Sequence, residues 1–155
     1  GLENAEKLAA LVDKIKAWEA DSDVKIDGIA VQLHVNYLLD ADAQAAQEEA
    51  IAAMFTKLAE TGKLIKVSEL NIGVAEAAGA AEMAPSAVTE EQHRAVAEFY
   101  KYVVSKYIET VPVANQYGIT KWNTSDSATS ARGLWDANYG RKHTYAGFAA
   151  GLSGK

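Results

Sequence analysis

Residues Lys63–Gly73 read KLIKVSELNIG, and the fold turns on how this stretch is read. Leu64, Ile65 and Val67 are apolar and partly β-branched, and Gly62 and Gly73 bound the run, which predicts a short buried strand. Glu69 stands near its end, with Asn71 two positions on and on the same face of an extended chain. Two readings stand. Glu69 is a surface glutamate in a strand-to-loop transition, or it marks the strand end at which parallel α/β folds place their chemistry.

Working outward, the chain alternates. Leu8, Leu11, Val12 and Ile15 recur at helical spacing between Asn4 and Ala20, with charged residues opposite. Ile29–Val35 is rich in β-formers and mostly apolar, as expected of a strand covered on both faces, and polar Gln32 and His34 share one face towards its end. Asp40 or Asp42 caps a second helix over Gln44–Glu60, with Ile51, Met54, Phe55 and Leu58 as its apolar stripe. Ile72–Val88 lacks periodicity and reads as a long loop over the strand ends. Thr89-Glu90-Glu91-Gln92 is a capping box opening a helix to about Glu109. Tyr117–Trp122 is a third strand, Asn123–Asn138 a polar loop, and Arg141–Leu152 a last helix. Three strands alternating with about four helices predict an α/β architecture of parallel strands joined by right-handed crossovers.

Composition narrows the function. Of 155 residues, 49% are hydrophobic and 23% charged, enough for one segment with a real core. The net charge of −6 and pI near 5.1 give no basic surplus for a nucleic acid partner. Without cysteine there are neither disulfides nor thiolate metal sites. No apolar run is long enough for a membrane span, and residues 1–20 form a charged amphipathic pattern, not a signal peptide. A start at Gly-Leu-Glu is expected of a piece of a longer protein.

If the strands are parallel, Gln32 with His34, Glu69 with Asn71, and Trp122 with Asp126 just beyond converge on one rim. A histidine beside a glutamate can orient the carboxylate, and a tryptophan offers a flat apolar face to a sugar ring. The bland alternatives are a structural histidine and a core tryptophan.

Four motifs add a family resemblance. Asp27–His34, DGIAVQLH, resembles the sixth strand of glycoside hydrolase family 10, the endo-1,4-β-xylanases, where the pattern is roughly D-G-I-G-x-Q-x-H. Val67–Ile72, VSELNI, resembles the seventh (T-E-L-D-I), and Trp122–Ser127, WNTSDS, the eighth (W-G-x-x-D-S). Leu134–Tyr145, LWDANYGRKHTY, resembles the closing L-F-D-x-N-Y-x-P-K-P-A-Y. The resemblance covers nearly the whole chain. It implies the C-terminal segment, residues 1–155, of a partial (β/α)8 (TIM-type) barrel that needs no cofactor and no metal.

Carried over residue by residue, the resemblance makes Glu69 the nucleophile of a retaining hydrolase and His34 the histidine that hydrogen-bonds it. Gln32, Asn71, Trp122, Asp126 and Arg132 become substrate-binding residues. Asn71 stands where the family has an aspartate, and Asn123 where it has glycine. Ala128–Ala131 stand where a second tryptophan is expected. The acid/base glutamate belongs to an Asn-Glu pair on the fourth strand, and no Asn-Glu dipeptide occurs here. The implied partners are xylan or xylo-oligosaccharide, together with the missing N-terminal half of the barrel or a second copy of the chain. The implied location is extracellular or periplasmic. The alternative is a non-catalytic sugar-binding or scaffold remnant. Open strand edges predict dimerisation or strand exchange.

Overall fold

A computed structural model describes residues 1–154. The order is α1 (Ala5–Ala20), β1 (Gly28–Leu38), α2 (Ala41–Ala59), β2 (Leu64–Ala75), α3 (Glu90–Thr110), β3 (Gln116–Lys121) and α4 (His143–Ser153), with short 3-10 turns at Pro85–Ala87 and Val113–Asn115. The three strands form one parallel sheet in the order β1-β2-β3, so β1 and β3 are edges within this chain.

Local chemistry sets the helix starts. Asn4 accepts from the Lys7 amide at 3.0 Å, and Asp40, not Asp42, accepts from the Ala43 amide at 2.9 Å. The α3 capping box forms in both directions: the Thr89 amide donates to Gln92 Oε1 at 2.8 Å, and the Gln92 amide to Thr89 Oγ1 at 3.2 Å.

The core lies on one side of the sheet. Ile29, Val31, Leu33 and Val35 of β1 and Ile65, Val67, Leu70 and Ile72 of β2 are buried against α2 and α3, which contribute Phe55, Leu58, Phe99, Tyr100 and Tyr107. The other side of β1, Gly28, Ala30, Gln32 and His34, is exposed. The expected strand covered on both faces is therefore covered on one. Burying an aliphatic side chain is worth about 1.5–3 kcal/mol, and only the helix side carries them. That decides which face packs.

Two irregularities break the ladders, and each is mended by a side chain. Ser68 is an extra residue in β2 between the pairs Val31–Val67 and Gln32–Glu69. Its hydroxyl donates to the Val31 carbonyl at 3.1 Å. Between β2 and β3 the register slips at Tyr117, and Gly118 takes φ +136. There the Tyr107 hydroxyl accepts from the Gly118 amide at 3.0 Å and donates to the Ile65 carbonyl at 2.7 Å. Unpaired ladder groups cost about 1–3 kcal/mol each, which is why both breaks are filled.

α4 lies directly on α3. A Cβ on Gly147 would stand 2.0 Å from the Ala97 carbonyl oxygen, and one on Gly151 2.7 Å from Val104 Cβ. Only glycine permits that approach.

Candidate active site

The bulge at Ser68 builds the site. A regular strand would place Glu69 on the face opposite Lys66, with the core residues. The extra residue resets the alternation, so Val67 and Leu70 both face the helices while Glu69 comes level with Gln32 on the exposed side. Both carboxylate oxygens are then occupied. Gln32 Nε2 donates to Oε1 at 2.9 Å, and His34 Nε2 bonds Oε2 at 2.7 Å. A carboxylate oxygen only accepts, so Nε2 carries the hydrogen and Nδ1 is turned away. Glu69 is 20% exposed and His34 40%, so the pair lies in an open mouth.

Trp122 follows the last residue of β3 and continues its ladder, its amide donating to the Leu70 carbonyl at 3.1 Å. The indole is 46% exposed, and its ring centroid is 6.2 Å from that of His34, tilted by 41°. It is not a core tryptophan. A flat apolar face thus stands beside a carboxylate held at both oxygens, groups of the kind that can stack on the C–H side of a sugar and act as a nucleophile.

The remaining residues lie elsewhere. Asn71 pairs with His34 in the ladder but, among the described residues, bonds neither His34 nor Glu69; its Oδ1 faces Lys121 Nζ at 3.5 Å. Asp126, 10% exposed, accepts from the Gly133 amide and from Lys142 Nζ, both at 2.7 Å. Arg132, 16% exposed, spreads its guanidinium over protein oxygens: Glu82 Oε2 at 2.8 Å, the Val35 and Asn71 carbonyls at 3.3 and 3.1 Å, and Asn36 Oδ1 at 2.7 Å. Its peptide carbonyl accepts from the buried Tyr100 hydroxyl at 3.2 Å, and the same hydroxyl accepts from the Ile72 amide at 3.1 Å. Asp126 and Arg132 were expected on the substrate side; the structure places them in the framework of the rim.

Two participants escaped the sequence reading. Glu82 anchors Arg132, and Ser130 Oγ donates to its other oxygen at 2.9 Å. Lys121 sits under Trp122, and burial pushes its ammonium down to about 7. A lysine directly before the tryptophan was the available signal. Among the described residues no group of three His, Cys, Asp or Glu is placed to hold a metal, and no helix is long and apolar enough to cross a membrane.

Known proteins resemble this chain in sequence and fold. The model of glycosyl hydrolase family 10 matches residues 1–150. The endo-beta-1,4-xylanase Xyn10C of Cellvibrio japonicus is 32% identical over 173 aligned positions, covering 98% of this chain and 27% of the relative. The structure of native xylanase10C from the same organism superposes with a TM-score of 0.81 at 29% identity, over 99% of this chain and 34% of that one. A glutamate-to-alanine variant of it in complex with xylopentaose gives 0.81 and 29% over 99% and 32%. A thermostable mutant of the xylanase Xyn10A of Cellvibrio japonicus gives 0.71 and 26%, over 98% and 47%. The chain thus spans about a quarter to a half of the length of these relatives, and its sheet is an arc of their barrel. With the family's model matched from end to end of the sheet and the fold shared, the chain belongs to glycosyl hydrolase family 10, as a partial (β/α)8 barrel of three parallel strands and four helices.

Proposed function

We propose that this chain is the C-terminal segment of a retaining β-1,4-xylanase and supplies the nucleophile half of its site. The observation that carries the reading is the pair of donors on Glu69, Gln32 at 2.9 Å and His34 at 2.7 Å, beside the exposed face of Trp122. With both oxygens bonded, the carboxylate is fixed in direction before substrate arrives, and a fixed direction shortens the path to the reactive geometry.

A xylosyl unit stacks on Trp122 with its anomeric carbon over Glu69. A Glu69 oxygen forms a bond to that carbon while the bond to the leaving oxygen breaks. The leaving oxygen takes a proton from a second carboxyl group about 5–5.5 Å from the first. Water then cleaves the glycosyl ester, giving its proton to the same second group and releasing the sugar with its original configuration. The acid/base group comes from the N-terminal half of the barrel, which covers the exposed face of Gly28, Ala30, Gln32 and His34 and the open edges of β1 and β3. Without that half, the lost proton transfer costs on the order of 10²–10⁴ in rate. From the family resemblance, the place of action is extracellular or periplasmic.

The test joins the chain to an upstream family 10 half and measures release of reducing sugar from xylan. Glu69→Ala should abolish hydrolysis, and azide should restore turnover by yielding the α-glycosyl azide, because the small anion replaces the missing carboxylate. Full activity in Glu69→Ala would refute the assignment.

A second reading has its own observation. Asn71 faces Lys121 and leaves His34 without a partner from β2 beyond Glu69. A non-catalytic sugar-binding remnant is then the alternative. Xylopentaose binding without hydrolysis in the joined protein, unchanged by Glu69→Ala, would select it.

A further inference from the structure

Three cations lie beneath the loop after β3, and two have carboxylate partners. Arg132 pairs with Glu82 at 2.8 Å and Lys142 with Asp126 at 2.7 Å. Lys121 is the third, and among the described residues no carboxylate bonds it. Its Nζ donates to the Trp122 carbonyl, to the Asn123 carbonyl at 3.0 Å and towards Asn71 Oδ1 at 3.5 Å, and lies 5.7 Å from the Tyr100 ring centroid. Asn123 has φ +60, a left-handed conformation that asparagine adopts more readily than other non-glycine residues. Two of the three oxygens around the ammonium are therefore the carbonyls of a left-handed turn.

We infer that Lys121 is a positioning residue for Trp122: its ammonium, seated on the Trp122 and Asn123 carbonyls, holds the left-handed turn that presents the indole to the mouth. The functional consequence rests on the reading of Trp122 as a sugar platform. The amide of Trp122 is fixed by the Leu70 carbonyl, and Lys121 fixes the other end of the same residue.

The grip depends on pH. An ammonium has three N–H groups for three oxygens. The neutral amine has two, and its lone pair then faces an acceptor. Burial comes first in moving Lys121 down to about 7, Arg132 and Lys142 push the same way, and Asp126 opposes them. Tyr100 from α3 also lies against it and Glu82 acts through Arg132, while His34, bonded to Glu69, has its ring 6.2 Å from that of Trp122. Global stability moves in the opposite sense. Between about 7 and the ordinary 10.5 the unfolded chain binds the extra proton, so unfolding grows harder as pH rises through that window. A loosened indole in a more stable protein separates local positioning from general packing.

The experiment follows the Trp122 indole N–H resonance of the 155-residue chain from pH 5.5 to 9, assigned through Trp122→Phe. It compares wild type with Lys121→Met, Lys121→Arg and His34→Gln. Wild type should titrate with a midpoint near 7, and His34→Gln should keep that midpoint. Lys121→Met should stay at the high-pH position, and Lys121→Arg at the low-pH position. At pH 6, Lys121→Met should bind xylopentaose about 3- to 10-fold more weakly, the worth of one hydrogen bond. An indole identical in wild type and Lys121→Met, or a titration lost in His34→Gln, overturns the inference. Should Lys121→Met not fold, an unchanged midpoint in Lys121→Arg overturns it, because arginine does not titrate there. Indole behaviour as expected with no xylopentaose bound by any variant upholds the role of Lys121 and refutes the sugar platform.

Discussion

Replacing Arg132 by methionine should unfold the rim rather than empty a subsite. The side chain makes four hydrogen bonds, to Glu82, the Val35 and Asn71 carbonyls and Asn36, and so ties β1, β2 and the loop after β2 together. Bonds to a charge are worth about 1.5–3 kcal/mol each, but removing the guanidinium, only 16% exposed, also removes its own desolvation cost, so about 0.5–1 kcal/mol each is the better scale. Glu82 keeps one partner, Ser130. Summed, Arg132→Met costs about 2–4 kcal/mol, or about 5–15 °C in melting temperature for a chain of this length. Arg132→Lys should recover little, because an ammonium cannot span the fork. Glu82→Gln combined with Arg132→Met should lose less than the sum of the two, with a coupling of about 1–2 kcal/mol. Thermal unfolding followed by circular dichroism, with xylopentaose titration of the folded protein, decides it. A melting temperature within about 2 °C of wild type together with lost binding would show that Arg132 belongs to the substrate.

Further outcomes follow from other contacts. Ser68→Ala removes the bond that satisfies the Val31 carbonyl and should cost about 1 kcal/mol by urea unfolding, while deleting Ser68 should leave a regular strand with Glu69 still opposite Gln32 and hydrolysis by the joined enzyme retained. Gly147→Ala forces a methyl into the Ala97 carbonyl and should lower stability by about 1–3 kcal/mol, seen as a lower melting temperature. The bond from His143 holds Glu90 below the usual carboxylate range, so its contribution is present above the unfolded value and fades as pH falls; His143→Ala should move the midpoint of the Glu90 carboxyl shift, followed by NMR on acidification, up towards the ordinary range. Burial raises Tyr100 well above the ordinary phenol range, so its contribution is complete below about pH 10 and is lost as pH rises through the folded value. Tyrosinate absorbance at 295 nm should therefore jump together with alkaline unfolding.

The helices and the strand order were legible because their signals are local. Thr89 and Gln92 cap one another within four residues, and the apolar stripe of α2 needs only its own spacing. The family motifs carried the partial barrel, which the comparisons bear out. What was missed depends on partners far along the chain. Ser68 looks like a polar residue in a strand until the register with Val31 is known, although the three-residue step between Val67 and Leu70, both apolar, hinted at it. Arg132 and Asp126 look like free charges until Glu82 and Lys142 are brought beside them. Coverage of β1 on both faces was inferred from its hydrophobicity, yet its exposed face is Gly, Ala, Gln and His, which demand no burial.

The one-sided core has a bearing on assembly. The large aliphatic groups of β1 and β2, Leu64 apart, are buried on the helix side, so this arc carries its own apolar core before any contact from the lumen. Closing the arc into a whole barrel would add hydrogen bonds along its two strand edges, with Gly28, Ala30, Gln32 and His34 as the residues that β1 turns to the lumen.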